Sequence, residues 1–376
     1  MTADLAAAPA HRVLGAEKGC LLIAGGGTGG HVFPALAVAR EWLRREPPGA
    51  RSVVIVGTER GMEAKLVPQA GMPLETIRVA GLKGMGGTKL LKNLALLPAG
   101  LWDSEKIMQH HKFSAAFGVG GYAAGPMILA ARLHGIPSLI FEPNVEPGFT
   151  NRVLAGISTR VACGFQETAT RFGPKAVATG IPVRAEFFAA PRSEHREPFR
   201  ILITGGSRGA LPINRAVIDS LDLLAPRKNQ LFIVHQTGER DYNAVRVAYA
   251  RREFRAEVVP FIENMAERFA QADLIVCRSG AITVAEVAAA GRAAIFIPFG
   301  AATDAHQTRN AEAMQNAGAA RLLPQTELTP QRLTQEIFSL LDQPRRITEM
   351  EDCARKLARP HAVEDIVNMI EGLVRP

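Results

Sequence analysis

The sequence predicts an α/β protein built from two doubly wound, Rossmann-like parallel-sheet domains facing each other across a cleft. Three observations carry that expectation. Short β-branched runs alternate with longer helical patterns, which implies parallel strands joined by right-handed crossovers. A strand running into a glycine-rich turn with a hydroxyl residue occurs twice, as CLLIAGGGTGGHVFP at Cys20 to Pro34 and as RILITGGSRGA at Arg200 to Ala210. The halves also match further on: Phe117 to Asn144 and Leu274 to Gly300 each read strand, glycine-containing turn, helix, glycine, strand and loop.

In chain order, buried strands are expected at Leu21 to Ala24, Val53 to Val56, Ala115 to Val119 and Ser138 to Phe141. Further strands are expected at Ile201 to Thr204, Leu231 to His235, Leu274 to Cys277 and Ala294 to Ile297. Each is a short, near-continuous apolar run, as strands covered on both faces require. Helices are expected from near Phe33 through Arg44 and over Ile282 to Ala290. The seam falls near Thr179 to Arg196, where TGIPVR gives way to charged, proline-containing sequence. The expected division is a mobile extension over 1–19, a first domain over 20–180, and a second domain over 181–376 whose last helix packs back on the first.

Composition narrows the function classes. The 376 residues suit two ordinary domains. Lys and Arg exceed Asp and Glu by 44 to 36, a formal charge of +8 that suits anionic partners without choosing among them. Three Tyr and two Trp are few for stacking on single-stranded nucleic acid, so no nucleic-acid partner is expected. Cys20, Cys163, Cys277 and Cys353 lie far apart in no CxxC or Cys/His ligand pattern and read as buried free thiols in a reducing compartment; no bound cofactor is expected. The chain reads as cytoplasmic, with no run approaching a spanning helix.

A glycine-rich turn ahead of a helix lets backbone N–H groups meet an anion, and two such turns suit a transferase joining two phosphate-bearing substrates. Gly25, Gly27 and Gly30 satisfy GxGxxG, but the nearest acid after the second strand, Glu59, is 29 residues beyond Gly30, too far for a dinucleotide fingerprint. Thr28 and His31 point instead to a polar substrate. His31 is either a helix-capping or buried imidazole, or a base for an attacking hydroxyl. Ser279 to Thr283 opens a helix after a strand, a second kind of anion site. Glu286, on the first turns of that helix, either complements the dipole or accepts hydrogen bonds from two ribose hydroxyls. Lys83 and Gly84 in GLKGMGG, and Gly120, Gly121 and Tyr122 in VGGY, add further glycine turns, which a second pyrophosphate ligand would explain. Leu90, Leu94, Leu97 and Leu101 form a helical stripe beside Lys83, Lys89 and Lys92, interrupted at Pro98. That stripe is either core-facing or a patch for an anionic membrane surface.

With these motifs in hand, the chain resembles the MurG family of bacterial N-acetylglucosaminyltransferases. The resemblance runs from about Leu21 to the C-terminus, through GGTGGHVFP, GLKGMG, GGYAAGP, PVR, GGSRGA, FIENM, CRSGAITVAE and the DAHQ–NA stretch. It implies a GT-B fold, an inverting reaction and no obligatory metal. The implied donor is UDP-N-acetylglucosamine, and the implied acceptor is undecaprenyl-pyrophosphoryl-N-acetylmuramyl-pentapeptide, at the cytoplasmic face of the inner membrane. The implied donor contacts are Thr28, Gly29, Gly30, Asn144, Arg184, Ser207, Ile262, Ala281, Ile282, Thr283, Glu286, His306 and Gln307. Acceptor contacts fall on Gly29, His31, Lys83, Gly84, Gly120, Gly121 and Tyr122. His31 is the expected base and Glu142 the second candidate. The chain departs from the family at Phe141 and Pro143, at Ile181 and at Arg208. The alternatives are a GT-B transferase for another lipid acceptor, a UDP-sugar 2-epimerase, and a nucleotide-binding regulator without His31 chemistry.

Overall fold

The structure, a computed structural model, describes residues 19–27, 29–79, 96–189, 191, 197–300 and 305–374. The first part of the chain runs β1 (Cys20–Gly25), α1 (Gly29–Arg44), β2 (Ser52–Gly57), α2 (Glu63–Gln69), β3 (Leu74–Thr76) and α3 (Leu97–His110). It continues with β4 (Phe113–Gly120), α4 (Ala124–Leu133), β5 (Ser138–Glu142), α5 (Phe149–Ile157), β6 (Arg160–Cys163), α6 (Gln166–Phe172) and β7 (Ala176–Ala178). These strands make a seven-stranded parallel sheet in the order β3-β2-β1-β4-β5-β6-β7.

After α7 (Ala185–Phe188) come β8 (Phe199–Thr204), α8 (Leu211–Leu224), β9 (Leu231–Gln236), α9 (Tyr242–Arg251), β10 (Ala256–Val259) and α10 (Met265–Gln271). Then follow β11 (Leu274–Cys277), α11 (Ala281–Ala290), β12 (Ala293–Phe296), α12 (His306–Asn316) and β13 (Ala320–Leu322). The second sheet is parallel, in the order β10-β9-β8-β11-β12-β13. Both sheets therefore reverse direction of growth beside their first strand, the arrangement of doubly wound nucleotide folds. This is the architecture predicted from the alternating pattern.

The central strands are those with continuous apolar sequence. Leu21, Leu22, Ile23 and Ala24 are fully enclosed, as are Leu274, Ile275 and Val276. The edge strands β3, β7 and β10 are short and only half-buried, so they carry no apolar run to read. Helix α1 begins at Gly29, ahead of the expected start near Phe33, which places His31 inside its first turn. Pro98 does not break α3 but sits at its start, where its missing N–H costs nothing.

The chain ends with α13 (Pro330–Leu341), α14 (Pro344–Leu357) and α15 (Ala362–Glu371). Helix α15 packs on α1: Ile366, Val367 and Ile370 are buried in the cluster containing Leu36, Val38 and Trp42. Arg45 and Arg51 both pair with Glu371, at 2.7 and 2.8 Å. Partly exposed ion pairs contribute about 0–1 kcal/mol each, whereas a fully buried Ile or Val contributes about 1.5–3 kcal/mol. The apolar stripe, not the ion pairs, holds this last helix to the first sheet.

Candidate active site

The turns after β1, β4, β8 and β11 all lie at the carboxyl ends of strands flanking the two switch points, where doubly wound sheets bind ligands. The start of α11 meets the first sheet's core: Ala281 is buried with Val32, Phe117 and Phe141, and Ile282 and Ala285 pack against them. The four turns thus converge on one inter-domain region.

On the first-domain side, β1 and β4 turn against each other so closely that side chains do not fit. A Cβ on Gly121, whose φ is +82°, would overlap the Gly26 carbonyl, and one on Gly120 would lie 3.0 Å from the His31 ring. The sequence thus uses glycine here for close approach. His31 Nδ1 lies 3.0 Å from the Gly26 carbonyl oxygen. A carbonyl only accepts, so Nδ1 carries the proton and Nε2 the lone pair in the neutral ring. Burial lowers the His31 pKa, opposed by that hydrogen bond and by the charges of Glu142 and Glu63. The imidazole is therefore neutral at neutral pH, the form a general base needs. Tyr122 is exposed at the same turn.

Glu142, at the end of β5, is buried and accepts from Asn144 N–H and Nδ2, from Gly148 N–H and from Asn151 Nδ2, at 2.9 to 3.0 Å. With both oxygens engaged, it shapes the loop after β5. Phe141 is fully buried in the core, as is Ile181 at 5 % exposure. Two departures from the family pattern are thus core residues, while Arg208 is exposed.

The loop after β5 crosses to the second domain. Asn310, fully buried on α12, accepts from Val145 N–H at 3.0 Å and donates to Asn144 Oδ1 at 3.1 Å and to the Ser279 carbonyl at 3.2 Å. His306 Nδ1 lies 2.7 Å from the Glu146 carbonyl, and Gln307 Oε1 accepts from Phe299 N–H at 2.9 Å. Asn310 lies in the DAHQ–NA stretch of the resemblance but is assigned no role from sequence, because Asn144 and Val145, which it bridges to Ser279, belong to the other domain.

In the second domain, Ser207 and Arg208 are exposed on the turn between β8 and α8. Gln236, at the end of β9, is a second residue that sequence reading missed. Its Nε2 donates to the Gly206 carbonyl at 2.8 Å, and its Oε1 accepts from Ile262 N–H at 2.8 Å. One amide thereby joins the glycine turn to Ile262. Gly280 precedes α11, whose first amides, at Ala281, Ile282 and Thr283, are not satisfied within the helix. Glu286 lies one turn on. Burial raises its pKa to about 7, and the positive charge of Arg184 opposes the rise. Arg184 is exposed and rests against Phe187 at 5.1 Å.

The structure brings together Gly29, Gly30, His31, Gly120, Gly121, Tyr122, Glu142 and Asn144 on one side. On the other lie Ala281, Ile282, Thr283, Glu286, His306 and Gln307, with Arg184 beside Glu286. Gly206, the neighbour of Ser207, and Ile262 share the Gln236 anchor. Thr28, Lys83 and Gly84 lie outside the described residues, as do Lys89, Lys92, Leu90 and Leu94. Among the described residues no group of three or more His, Cys, Asp or Glu is placed to hold a metal ion.

Two family models match the chain: the glycosyltransferase family 28 N-terminal domain over residues 21–163 and its C-terminal domain over 200–366. Among curated relatives, the UDP-N-acetylglucosamine–N-acetylmuramyl-(pentapeptide) pyrophosphoryl-undecaprenol N-acetylglucosamine transferase of Myxococcus xanthus is 44 % identical, over 94 % of this chain and 93 % of its own length. The transferase of the same name from Geotalea daltonii is 42 % identical, over 95 % and 98 %. Among solved structures, Acinetobacter baumannii MurG superposes with a TM-score of 0.79 at 36 % identity, covering 94 % of this chain and 99 % of that one. A UDP-GlcNAc 2-epimerase from Neisseria meningitidis shares only the fold, at 14 % identity and a TM-score of 0.67. Matched in both halves and along nearly its whole length, the chain belongs to glycosyltransferase family 28 and, within it, to the MurG family.

Proposed function

We propose that this protein transfers N-acetylglucosamine from UDP-N-acetylglucosamine to the 4-hydroxyl of undecaprenyl-pyrophosphoryl-N-acetylmuramyl-pentapeptide, with inversion at the anomeric carbon. Identity of 44 % along nearly the full chain to a relative named for that transfer is the observation that carries the reading. The domain over 20–180 takes the acceptor, and the domain over 181–376 takes the donor.

His31 Nε2 removes the proton from the acceptor hydroxyl as its oxygen attacks the anomeric carbon. The bond from that carbon to the diphosphate oxygen breaks, and UDP leaves with the added negative charge. The amides of Ala281 and Ile282, the Arg184 guanidinium and Ser207 stabilise that charge, preorganised where it develops. Glu286 accepts from the ribose hydroxyls and Ile262 faces the base. Thr28, Gly29, Gly30, Thr283, His306 and Gln307 complete the donor site. Asn144, held by Glu142 and Asn310, lines the sugar side. Gly120, Gly121 and Tyr122, with Lys83 and Gly84, receive the acceptor. His31 is favoured over Glu142 because both Glu142 oxygens already accept hydrogen bonds.

No helix among the described residues is long and apolar enough to cross a membrane. We place the enzyme peripherally on the cytoplasmic face of the inner membrane. In support, Trp102 on α3 is 62 % exposed with Lys106 against its ring, and Leu133, at the end of α4, is 76 % exposed. Apolar insertion beside lysines suits an anionic lipid surface.

UDP release from UDP-N-acetylglucosamine, followed with and without lipid-linked muramyl-pentapeptide, tests the reading. Release that depends on this acceptor is expected. Equal release with an unrelated glycolipid acceptor would point to a transferase of different acceptor, and conversion of the donor to its 2-epimer would point to an epimerase.

A further inference from the structure

The glycine turn after β1 looks like an anion site in sequence, yet a side chain of the protein already fills it. Glu63, the first residue of α2, is 1 % exposed. Its Oε2 accepts from Gly27 N–H at 2.7 Å, and its Oε1 accepts from Thr58 N–H at 2.9 Å and from Thr58 Oγ1 at 2.8 Å. Three glycines make the room: a Cβ on Gly26, Gly57 or Gly61 would overlap the Glu63 side chain. Burial alone would raise the Glu63 pKa. The hydrogen bonds from Gly27, from its own amide and from Thr58 outweigh burial and hold the pKa below the ordinary carboxyl value. The group is therefore a charged, satisfied carboxylate seated against a glycine-turn amide. The topologically equivalent turn of the second domain is closed differently, with Gly206 N–H donating to the Thr204 hydroxyl at 3.1 Å.

We infer that Glu63 is a positioning residue for acceptor activation: its carboxylate takes the place that an anion holds in a nucleotide-binding glycine turn. It thereby locks the turn that carries His31 and bars a diphosphate from the Gly27 amide. The chain of contacts is short. Glu63 fixes Gly27, and the neighbouring Gly26 carbonyl receives the His31 Nδ1 proton. That hydrogen bond sets the tautomer that leaves Nε2 as the accepting nitrogen. The negative charge of Glu63 also acts on the imidazole directly, favouring its protonated form and so strengthening it as a base. The inference rests on the reading of His31 as the base.

The test compares Glu63→Gln, His31→Ala and the double variant with the unaltered protein. UDP-N-acetylglucosamine binding, measured by calorimetry, reports whether the donor domain is folded. Glu63→Gln replaces an acceptor with an N–H group facing the Gly27 amide. It should lower kcat by about 10- to 100-fold, the loss expected for a hydrogen bond to a charged group, while donor affinity stays within about 2-fold of the unaltered value. The acid limb of the kcat profile should move to lower pH, because removing the carboxylate charge lowers the proton affinity of His31. In the His31→Ala background the Glu63 change should cost nothing further, as residues acting through one another do not add. Gly57→Ala is the second variant, for the case in which Glu63→Gln does not fold. Its added methyl meets Glu63 Cγ and shifts the carboxylate while retaining its charge. It should also lower kcat without affecting donor binding.

A folded Glu63→Gln variant with unaltered kcat and acid limb, or full additivity with His31→Ala, overturns the role of Glu63. If instead His31→Ala itself keeps its turnover, the base assignment fails, and the two failures are told apart by that single variant.

Discussion

Replacing Glu286 with Gln tests the donor site through its proton. Burial raises the carboxyl pKa to about 7 in the free protein, despite the opposing charge of Arg184. In the proposed donor site two ribose hydroxyls donate to the ionised form, so the donor would select the deprotonated protein. The sign follows from that selection. Affinity rises with pH until the group is ionised without ligand, and levels off above about pH 8. One pH unit below the free pKa, binding must also release a proton, at a cost of about 1.4 kcal/mol, or tenfold. Affinity for UDP-N-acetylglucosamine should therefore be about tenfold weaker at pH 6 than at pH 8. A diphosphate diester does not titrate in this range, so the intact sugar nucleotide is the ligand to use. Glu286→Gln keeps the volume and removes the charge. Each hydrogen bond to a charged group contributes about 1.5–3 kcal/mol, so the variant should bind at least tenfold more weakly at pH 8. Its affinity should be flat between pH 6 and 8. Calorimetric titration at both pH values gives the answer. An unchanged slope in the variant, or unchanged affinity at pH 8, would refute the ribose role and leave Glu286 as a charge complementing the α11 dipole.

Three further outcomes follow from the same geometry. His31→Ala should lower kcat by about 10²–10⁴ with donor affinity intact, and the acid limb of the native kcat profile should lie below the ordinary histidine pKa of 6.5, since burial lowers this one; steady-state kinetics across pH checks both. Asn310→Ala leaves the buried Val145 N–H without its acceptor and should cost about 1–3 kcal/mol in denaturant unfolding, so an unaltered midpoint would show that the inter-domain bridge contributes no stability. Replacing Trp102 and Leu133 together with Ser should reduce co-sedimentation with anionic vesicles while leaving turnover on a short-chain soluble acceptor unchanged, and charge reversal at Lys89 and Lys92 should do the same. Vesicle binding at the unaltered level in low salt would remove this face as the membrane contact.

Much of the architecture was legible in the order of residues alone. Buried parallel strands are covered on both faces, so β1, β4, β8 and β11 announce themselves as unbroken apolar runs, and the glycine turns that follow them mark the switch points. The place of Glu286 on the first turns of α11 is equally local, a matter of helical spacing after a strand. The edge strands β3, β7 and β10 were not legible, because a half-buried segment of three or four residues carries no periodicity to read.

What only the tertiary structure decided are the polar anchors. Glu63 meets Gly27 across 36 residues of chain, Gln236 meets Ile262 across 26, and Asn310 meets Val145 across 165. A short acid on a helix start reads the same whether it faces water or a glycine turn. Sequence periodicity reports which face of an element is apolar, but not which polar group completes the hydrogen bonds of a distant loop. For that reason the first turn, an anion site in sequence, is closed by the protein's own carboxylate in the fold. Likewise Glu142, a second candidate base in sequence, lies with both oxygens tied to the loop it shapes. Those assignments depend on donors and acceptors brought within about 3 Å by two sheets folding around each other, and no local pattern encodes them.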